Sequence, residues 1–462
     1  MVAPPQVRSF EQRLDESDLT RVMWLLWALS AGLIALDGFD FFIIGVALPF
    51  LQRDFSLSPT EIGAVAVAAI VGSLVGSLTL GPLTDRIGRQ RMLLIDVALF
   101  VIASAGTALA WDALSLIGFR FLVGVAIGAD YPISVSYITE NVPARLRGRM
   151  VIGAFTFQAV GALLGAITGI GIIAAFQTFL PDSVQPVIHY GWRWMLGVGL
   201  GLAIAVGLLR LNFLLESPSY YLARGDYEAA SKAASTLLEM PIALTPETDP
   251  PETETPLSYG DLFSSSYRRR TLLASIPWFL QDIATYGIGI FTPTIIAALA
   301  FANQTDLLGR ELASATGAAI VDLFLIAGFL IAVVCVERVG RIRLQILGFV
   351  GMAIGLLILA GSGWVSSGTV WNTAIVFLGF FVFNLTMNAG PNSTTFLLSG
   401  EVFPTSIRAS GAGFAAAVAK AGAVVGAFGL PILQGAIGVP PLLIGLAGIC
   451  LLAAVLTFLL RN

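Results

Sequence analysis

The feature that most constrains this chain is a series of apolar stretches, each long enough to cross a lipid bilayer, which takes roughly 17 to 25 residues in helical form. Twelve such stretches can be placed, at residues 24–49, 61–83, 92–110, 113–138, 150–176, 194–215, 271–299, 311–335, 343–362, 369–398, 409–432 and 439–460. In hydrocarbon, backbone polar groups must be satisfied internally, so each stretch is predicted to be an α-helix. The expected fold class is an all-α membrane protein with twelve transmembrane helices.

The composition agrees with a chain that is surrounded mainly by lipid. Of its 462 residues, 56% are hydrophobic and only 12% are charged, whereas soluble proteins have about half and a quarter. We therefore expect a multi-pass protein of the cell (inner) membrane and not an enzyme. The net charge of −4, with no basic run beyond Arg268 to Arg270, gives no support to nucleic-acid binding. One histidine, His189, and the distant cysteines Cys335 and Cys450 predict no metal site, and no cofactor is expected.

Basic residues set the predicted orientation in the membrane. They are concentrated in the loops and turns that follow even-numbered stretches, and the opposite face holds only Arg53, Arg193 and Arg310. By the positive-inside rule, both termini are predicted to be cytoplasmic.

A long polar interruption midway divides the chain. Residues 216–270 contain the acidic, proline-rich run PETDPPETETP, a composition that cannot bury a core. We predict a cytoplasmic N-terminal segment (1–23), an N-terminal six-helix bundle (24–215), a cytoplasmic linker (216–270) and a C-terminal six-helix bundle (271–462).

The two halves share short charged motifs. DRIGR at 85–89 recurs as ERVGR at 337–341, and a pattern E-x-x-P-x-x-x-R that starts at Glu140 recurs at Glu401. Because both motifs recur in the same order, the halves are predicted to be pseudo-symmetric repeats that rock about a midplane site. The motif charges lie at predicted cytoplasmic helix ends, where ion pairs can close an inner gate. The predicted gating residues are Asp85, Arg86, Arg89, Glu140, Arg147, Arg149, Glu337, Arg341, Glu401 and Arg408.

A few polar residues lie deep in predicted spans, where a charge costs about 2.5 to 3.5 kcal/mol and is a functional hypothesis by default. Trp278, Asp282 and Tyr286 follow one helix face, and Asp282 is roughly 16 Å from the predicted helix start, near the midplane. The shift that carries Glu140 to Glu401 carries Tyr131 to Asn392. The other candidates at depth are Asp37, Asp40, Asp96, Asp130, Gln158 and Lys420, with Arg120 and Asp322 interpreted as structural ion-pair or hydrogen-bond partners.

Several motifs resemble those of a known superfamily. GPLTDRIGRQR (81–91), RGR (147–149) and LESPSYYL (215–222) are similar to motifs of the major facilitator superfamily. The resemblance extends over the whole chain. It implies two six-helix bundles that expose one site alternately to the two sides of the membrane.

A narrower resemblance is to the phosphate:proton symporter branch of this superfamily. It rests on DGFDFFIIG (37–45), GADYPISVSYITENVPARLRGRM (128–150), FQAVG (157–161), WFLQDIATYG (278–287) and GPNSTTFLLSGEVFPTSIRASG (390–411). It implies substrate-binding residues Tyr131, Gln158, Trp278, Asp282, Tyr286 and Asn392, with Lys420 as the nearby cation. Its proton-handling carboxylates match Asp40 and Asp130, and Asp96 stands where the family usually has a glutamate. Asp37 and Asp282 complete the predicted proton-coupling set.

The residue types themselves suggest the chemistry. Tyrosine, tryptophan and amide donors can hydrogen-bond the oxygens of an anion, whereas an ionised Asp282 would repel it. Loss of hydration favours the protonated form of a buried carboxyl, so an anion and a proton can load and leave together. The chain contains no GK dipeptide and hence no P-loop. We therefore expect transport driven by the proton gradient.

The leading hypothesis is a monomeric proton-coupled symporter of inorganic phosphate or a similar small oxyanion. The DGFD motif also resembles organic-acid:proton symporters, so an organic acid or another metabolite remains the alternative substrate. Sugar porters fit less well, because their glutamine-rich motif in helix 7 is reduced to Gln281. A nutrient sensor on a transporter scaffold would be expected to carry a long cytoplasmic extension, and two residues follow the last apolar stretch. A membrane-embedded enzyme is disfavoured, because the chain has no GxSxG elbow.

Overall fold

The computed structural model describes residues 9–87, 89–180, 183–213, 215–222, 224–249, 259–300, 306–366, 369–403 and 407–461, and within these ranges the regular structure is entirely helical. The α-helices there are α1 (Phe10–Glu16), α2 (Arg21–Asp54), α3 (Pro59–Ile87), α4 (Arg89–Ala108), α5 (Ala113–Asn141), α6 (Arg147–Phe179), α7 (Trp192–Phe213), α8 (Pro218–Leu222), α9 (Tyr227–Leu238), α10 (Arg268–Ile290), α11 (Thr292–Leu299), α12 (Leu307–Val339), α13 (Arg341–Gly361), α14 (Val370–Ala389), α15 (Pro391–Glu401), α16 (Arg408–Ile437) and α17 (Val439–Leu460).

The predicted apolar stretches correspond to these helices. Among the described residues, ten spans are long and apolar enough to cross a membrane, with α14 and α15 counted together. The pair α10 and α11, bent by 61°, adds an eleventh. The apolar part of α5 is Ala113–Gly128, and we treat α5 as the twelfth span because the helix continues to Asn141. The prediction of an all-α membrane protein is confirmed.

Two spans of the C-terminal half are broken at prolines. Pro293 lies in the first turn of α11, and Pro391 begins α15 directly after Gly390. Proline lacks the N–H that continues a helical hydrogen-bond ladder, and it is tolerated at a helix start. Both breaks therefore have a local cause in the sequence, and they redirect the chain beside the polar residues of α10 and α14.

The halves meet along a small number of helix pairs. In the first half α2 packs on α6 and α7, and α5 packs on α3 and α4. In the second half α10 packs on α16 and α17, and α14 packs on α12 and α13. Between the halves, the main contacts join α6 to α12 and α3 to α16, and α2 also contacts α10 and α11. A site between the halves is thus bordered by α2, α6, α10, α12 and α16.

Glycines allow two of these helix pairs to approach closely. A Cβ placed on Gly422 of α16 would lie 2.1 Å from the carbonyl oxygen of Phe279 in α10. In the other half, a Cβ on Gly161 of α6 would lie 1.9 Å from the carbonyl oxygen of Ala35 in α2. Neither position can hold a larger residue unless the helices separate.

The predicted linker contains two helices, α8 and α9. Residues of α9 such as Ala234 and Leu237 form a small hydrophobic cluster with Phe10 and Leu14 of α1, separate from the main core. The acidic run that led us to expect no core lies partly outside the described residues. The cluster forms because α9 carries alanine and leucine at helical spacing along one face.

Candidate functional site

A pocket with both polar and apolar lining residues lies between the two halves, beside the break between α14 and α15. Its cavity volume is about 30 Å³, enough for a water molecule in this conformation. The residues that line it are Phe42, Gln158, Ala159, Asp282, Thr285, Tyr286, Leu325, Phe329, Met387, Asn388, Asn392, Phe396 and Lys420.

A buried lysine and a buried carboxyl face each other in this pocket. Lys420 Nζ lies 3.6 Å from Asp282 Oδ2 and donates a hydrogen bond of 2.6 Å to the Tyr286 hydroxyl oxygen. Lys420 is 5% exposed and Asp282 is 2% exposed. Because the Tyr286 oxygen accepts from lysine, its own O–H proton is available to a ligand acceptor. The group offers positive charge and hydrogen-bond donors, and Asp282 sets how much of that charge is compensated.

An amide network forms a second side of the pocket. Gln281 Nε2 donates to Asn392 Oδ1 at 3.1 Å and to Thr285 Oγ1 at 2.9 Å. Asn392 Nδ2 donates to Asn388 Oδ1 at 2.7 Å, and Asn388 Nδ2 donates to the Asn384 carbonyl at 2.9 Å. These linked bonds hold the amides in fixed orientations at the pocket.

The predicted substrate-binding residues are largely brought together by the fold. Five of them line the pocket: Gln158, Asp282, Tyr286, Asn392 and Lys420. Trp278 lies next to the pocket, where its ring meets the Phe396 ring edge-on at 4.7 Å between centroids. Tyr131 belongs to α5, but its side chain lies outside the described part of the protein.

Sequence analysis missed several polar residues of the pocket. Asn388 lies one helical turn before Asn392 and belonged to the same predicted span, so the spacing alone could have indicated it. Thr285 gave a weaker signal, because its contact with Met387 of α14 depends on how the helices pack.

Aromatic rings flank the pocket on both sides. Phe155 of α6 stacks on Phe396 of α15, with 4.2 Å between ring centroids and 7° between ring planes. This pair joins the two halves on the predicted cytoplasmic side of the pocket. On the other side, Phe42 of α2 lies so close to α10 that a Cβ on Gly289 would be 2.8 Å from its ring. Aromatic rings thus narrow the pocket on both sides.

The predicted proton-coupling residues other than Asp282 all lie in the N-terminal half and are buried. Asp40 pairs with Arg120 at 3.5 Å between Oδ2 and Nη1. Arg120 thus has the structural role that we expected for it. The residues concerned are Asp37, Asp40, Asp96 and Asp130.

Three of these carboxyls share one arginine that sequence analysis overlooked. Arg210 Nη2 lies 3.8 Å from Asp130 Oδ1, and Asp37 and Asp96 are close enough to both residues to interact electrostatically. One guanidinium cannot neutralise three carboxylates, so two of the three must bind a proton to avoid a buried net charge. Arg210 could have been noticed, because it is a charged residue within the predicted sixth span.

Three predicted gating residues, Glu337, Arg341 and Glu401, form an ion-pair network. Arg341 donates to Glu337 at 2.9 and 3.1 Å and to Glu401 at 3.1 and 3.2 Å. Glu337 also reaches the other half, since a Cβ on Gly148 in the first turn of α6 would lie 3.2 Å from its Oε1. A carboxylate is favourable at a helix N-terminus.

The structure describes three more of the predicted gating residues. Arg147 donates to the Val142 carbonyl at 3.4 Å, Arg149 is exposed and Glu140 is half-buried. The remaining four side chains lie outside the described part: Asp85, Arg86, Arg89 and Arg408.

Comparison with known proteins is consistent along the whole chain. The sequence model of the sugar (and other) transporter family matches residues 25–461. The putative metabolite transport protein YaaU of Escherichia coli (strain K12) is 29% identical over 92% of this chain and 88% of its own length. Inorganic phosphate transporter 1-1 of Oryza sativa subsp. japonica is 30% identical over 92% of this chain and 88% of its own length.

A solved structure shows the same fold. The xylose transporter XylE from E. coli, in a partially occluded inward-open conformation, matches with a TM-score of 0.74 and 19% identity, over 95% of this chain and 98% of that chain. The fold is therefore that of the major facilitator superfamily. The chain belongs to the sugar (and other) transporter family and is a membrane transporter, not an enzyme.

Proposed function

We propose that the protein is a proton-coupled symporter of inorganic phosphate or a similar small oxyanion. The observation that carries the proposal is the pocket between the halves in which Lys420, paired with Asp282 and Tyr286, lies beside an ordered amide network. We also propose that both termini are cytoplasmic, as the basic loops indicate, that the membrane is the cell (inner) membrane, and that the monomer is the working unit.

The pocket residues suggest how anion and proton travel together. The oxygens of phosphate accept hydrogen bonds, and Lys420, Tyr286, Gln158 and Asn392 can supply donors. A carboxylate at Asp282 cancels the lysine charge and repels the anion, whereas a protonated Asp282 leaves the charge to the anion. Anion binding and protonation of Asp282 therefore favour each other, which is the thermodynamic requirement for symport.

The buried carboxyls of the N-terminal half offer a further place for protons. Asp37, Asp96 and Asp130 share Arg210, so protonation changes the net charge of the cluster. Proton binding there and rearrangement of the helices are then linked. No cofactor enters this scheme.

An organic acid or another metabolite is the second candidate substrate. YaaU is described as a metabolite transport protein and the rice relative as a phosphate transporter. An aromatic acid would need a ring-stacking surface. Trp278 lies beside the pocket against Phe396, but Phe42, Phe329 and Phe396 line it, so an aromatic surface is present for this second candidate.

The substrate class is tested by binding to the purified protein. We expect phosphate to displace labelled phosphate, and benzoate and xylose to fail at millimolar excess. Asn392→Leu and Tyr131→Phe should each weaken phosphate binding by roughly 5- to 150-fold, because removing a buried donor costs about 1 to 3 kcal/mol.

The matched comparison is Trp278→Ala. If this variant dominates the loss and benzoate competes, the organic-acid alternative is correct. Melting temperatures of all variants show whether a loss of binding is a loss of folding.

A further inference from the structure

Asp322 is a buried carboxyl that the proposed mechanism does not use. It lies in the middle of α12 (Leu307–Val339), about 22 Å from Leu307 at 1.5 Å per residue, and it is 8% exposed. A carboxylate at such a depth is unfavourable without a partner. Asp322 therefore requires either a counter-charge or a bound proton.

Among the described residues, no counter-charge is close to Asp322. The expected ion pair is not formed there, and no charged group acts on Asp322 electrostatically. The helices packed on α12 explain this, because α11 and α14 carry no titratable side chain and α6 carries arginines only in its first turn. The titratable side chains of all helices packed against α12 are Arg147 and Arg149 on α6, Arg341 and Arg343 on α13, Glu401 on α15, and Arg21, Asp37, Asp40, Arg53 and Asp54 on α2.

The position of Asp322 on α12 connects it to the pocket. Leu325 and Phe329, three and seven residues later, both line the pocket, and helical spacing places Asp322 on the same face. Glu311 lies eleven residues earlier on this face, close to the Leu307 end of α12, and the small Ala318 lies between them. The face thus carries two carboxyls between the predicted extracytoplasmic end and the pocket.

We propose that Asp322 is an additional proton-binding site of the transport cycle, on the side of the pocket that faces the Leu307 end of α12. This inference rests on the proposed function, because a carried proton matters only where transport is proton-coupled. The neutral acid is stable while the pocket is enclosed, whereas the carboxylate needs hydration. Asp322 then takes its proton from water when that end is open and releases it on the other side with the substrate.

Counting protons per transported anion tests the proposal. Proteoliposomes that contain a pH-sensitive dye report proton uptake while labelled phosphate reports anion uptake. We expect Asp322→Asn to carry one proton fewer per phosphate than the wild type, and Asp322→Glu to keep the wild-type ratio. Ser314→Ala, a buried polar position on the same helix, is the structural control and should leave the ratio unchanged. An unchanged ratio in Asp322→Asn would overturn the proposal.

Chemical labelling of the wild type tests Asp322 without relying on transport. Dicyclohexylcarbodiimide reacts with protonated carboxyls in apolar surroundings, and mass spectrometry locates the product. We expect labelling of the Asp322 peptide that falls as the pH rises. No labelling of that peptide would overturn the proposal. If Asp322→Asn is inactive in transport, the labelling result decides for or against the proposal. Absence of phosphate-linked proton uptake in the wild type would instead refute the proposed function, and labelling alone would then decide for Asp322.

Discussion

At the scale of single residues, Lys420 and Asp282 control which charges the pocket can hold. Their charged atoms are 3.6 Å apart and both side chains are buried. Water cannot screen either charge there, so each residue depends on the other, on a proton or on a bound anion. Symport follows if the anion replaces the Asp282 carboxylate as the partner of the lysine.

The first prediction concerns the mutual dependence of these two residues. Asp282→Asn and Lys420→Gln should each destabilise the protein, because removal of one partner from a buried pair costs about 3 to 5 kcal/mol. The double variant leaves no unpaired charge and should lose less than the sum of the two single variants. Melting temperatures in detergent measure this coupling. Strictly additive losses would mean that the pair does not interact as its geometry indicates.

The second prediction concerns the proton carried by Asp282. Asp282→Asn keeps the size of the side chain and removes its titration. We expect phosphate exchange across proteoliposomes to survive, while accumulation driven by a pH gradient falls because one coupled proton is lost. The control is Ser314→Ala on α12. Gln281→Glu would not serve as a control, because Gln281 belongs to the amide network. Full accumulation in Asp282→Asn would assign the coupled proton to other residues.

Residue types at fixed helical spacing explain why part of the site was predictable. Asp282 and Tyr286 follow one face of α10, and helical periodicity alone places them together. The approach of Lys420 from α16 could be expected only from the family resemblance, since periodicity within one helix says nothing about the neighbouring helix. Arg210 and its three carboxyl neighbours were not foreseen as a cluster for the same reason.

At the scale of helices, close contact between α10 and α16 brings Lys420 to Asp282. Gly422 faces the backbone of Phe279 across this contact. The sequence located the apolar interiors of both helices correctly. It could not give the 61° bend between α10 and α11, because a proline allows a break but tertiary packing sets its angle.

The third prediction uses two glycines of α16. Gly422→Ala would place a methyl group 2.1 Å from the Phe279 carbonyl oxygen, and overpacking of this kind typically costs about 1 to 3 kcal/mol. We expect a lower melting temperature and weaker phosphate binding, because α16 and Lys420 move away from α10. Gly429→Ala, with no atom within 4 Å of the new methyl group, is the matched control and should bind phosphate normally. Equal behaviour of both variants would argue against positioning of Lys420 by this contact.

At the scale of the whole molecule, the two halves close over the pocket at separate points. Phe155 stacks on Phe396 on the predicted cytoplasmic side of the pocket. Glu337 contacts the first turn of α6 near the predicted cytoplasmic surface. Arg341 holds Glu337 and Glu401 together. Opening the pocket to that side requires these contacts to separate.

The fourth prediction concerns this inner closure. Partly exposed ion pairs are worth about 0.2 to 1 kcal/mol each, so Arg341→Gln should shift the population towards inward-open states by a few-fold. A cysteine at Ala159, which lines the pocket, in a Cys335→Ser background, reports access through its rate of labelling by an impermeant maleimide from the cytoplasmic side. Arg461→Gln, an exposed charge at the end of α17, is the control. A labelling rate that does not change in Arg341→Gln would leave the ion pairs without a gating role.

The central claim is that movement of a small oxyanion is coupled to movement of protons through the pocket between the halves. The most direct measurement is uptake of labelled phosphate into proteoliposomes under an imposed inward proton gradient. We predict accumulation above the external concentration, abolished by a protonophore and reduced in Asp282→Asn. Uptake that only equilibrates phosphate, regardless of the gradient, would contradict the account, and so would accumulation of an organic acid or a sugar in place of phosphate.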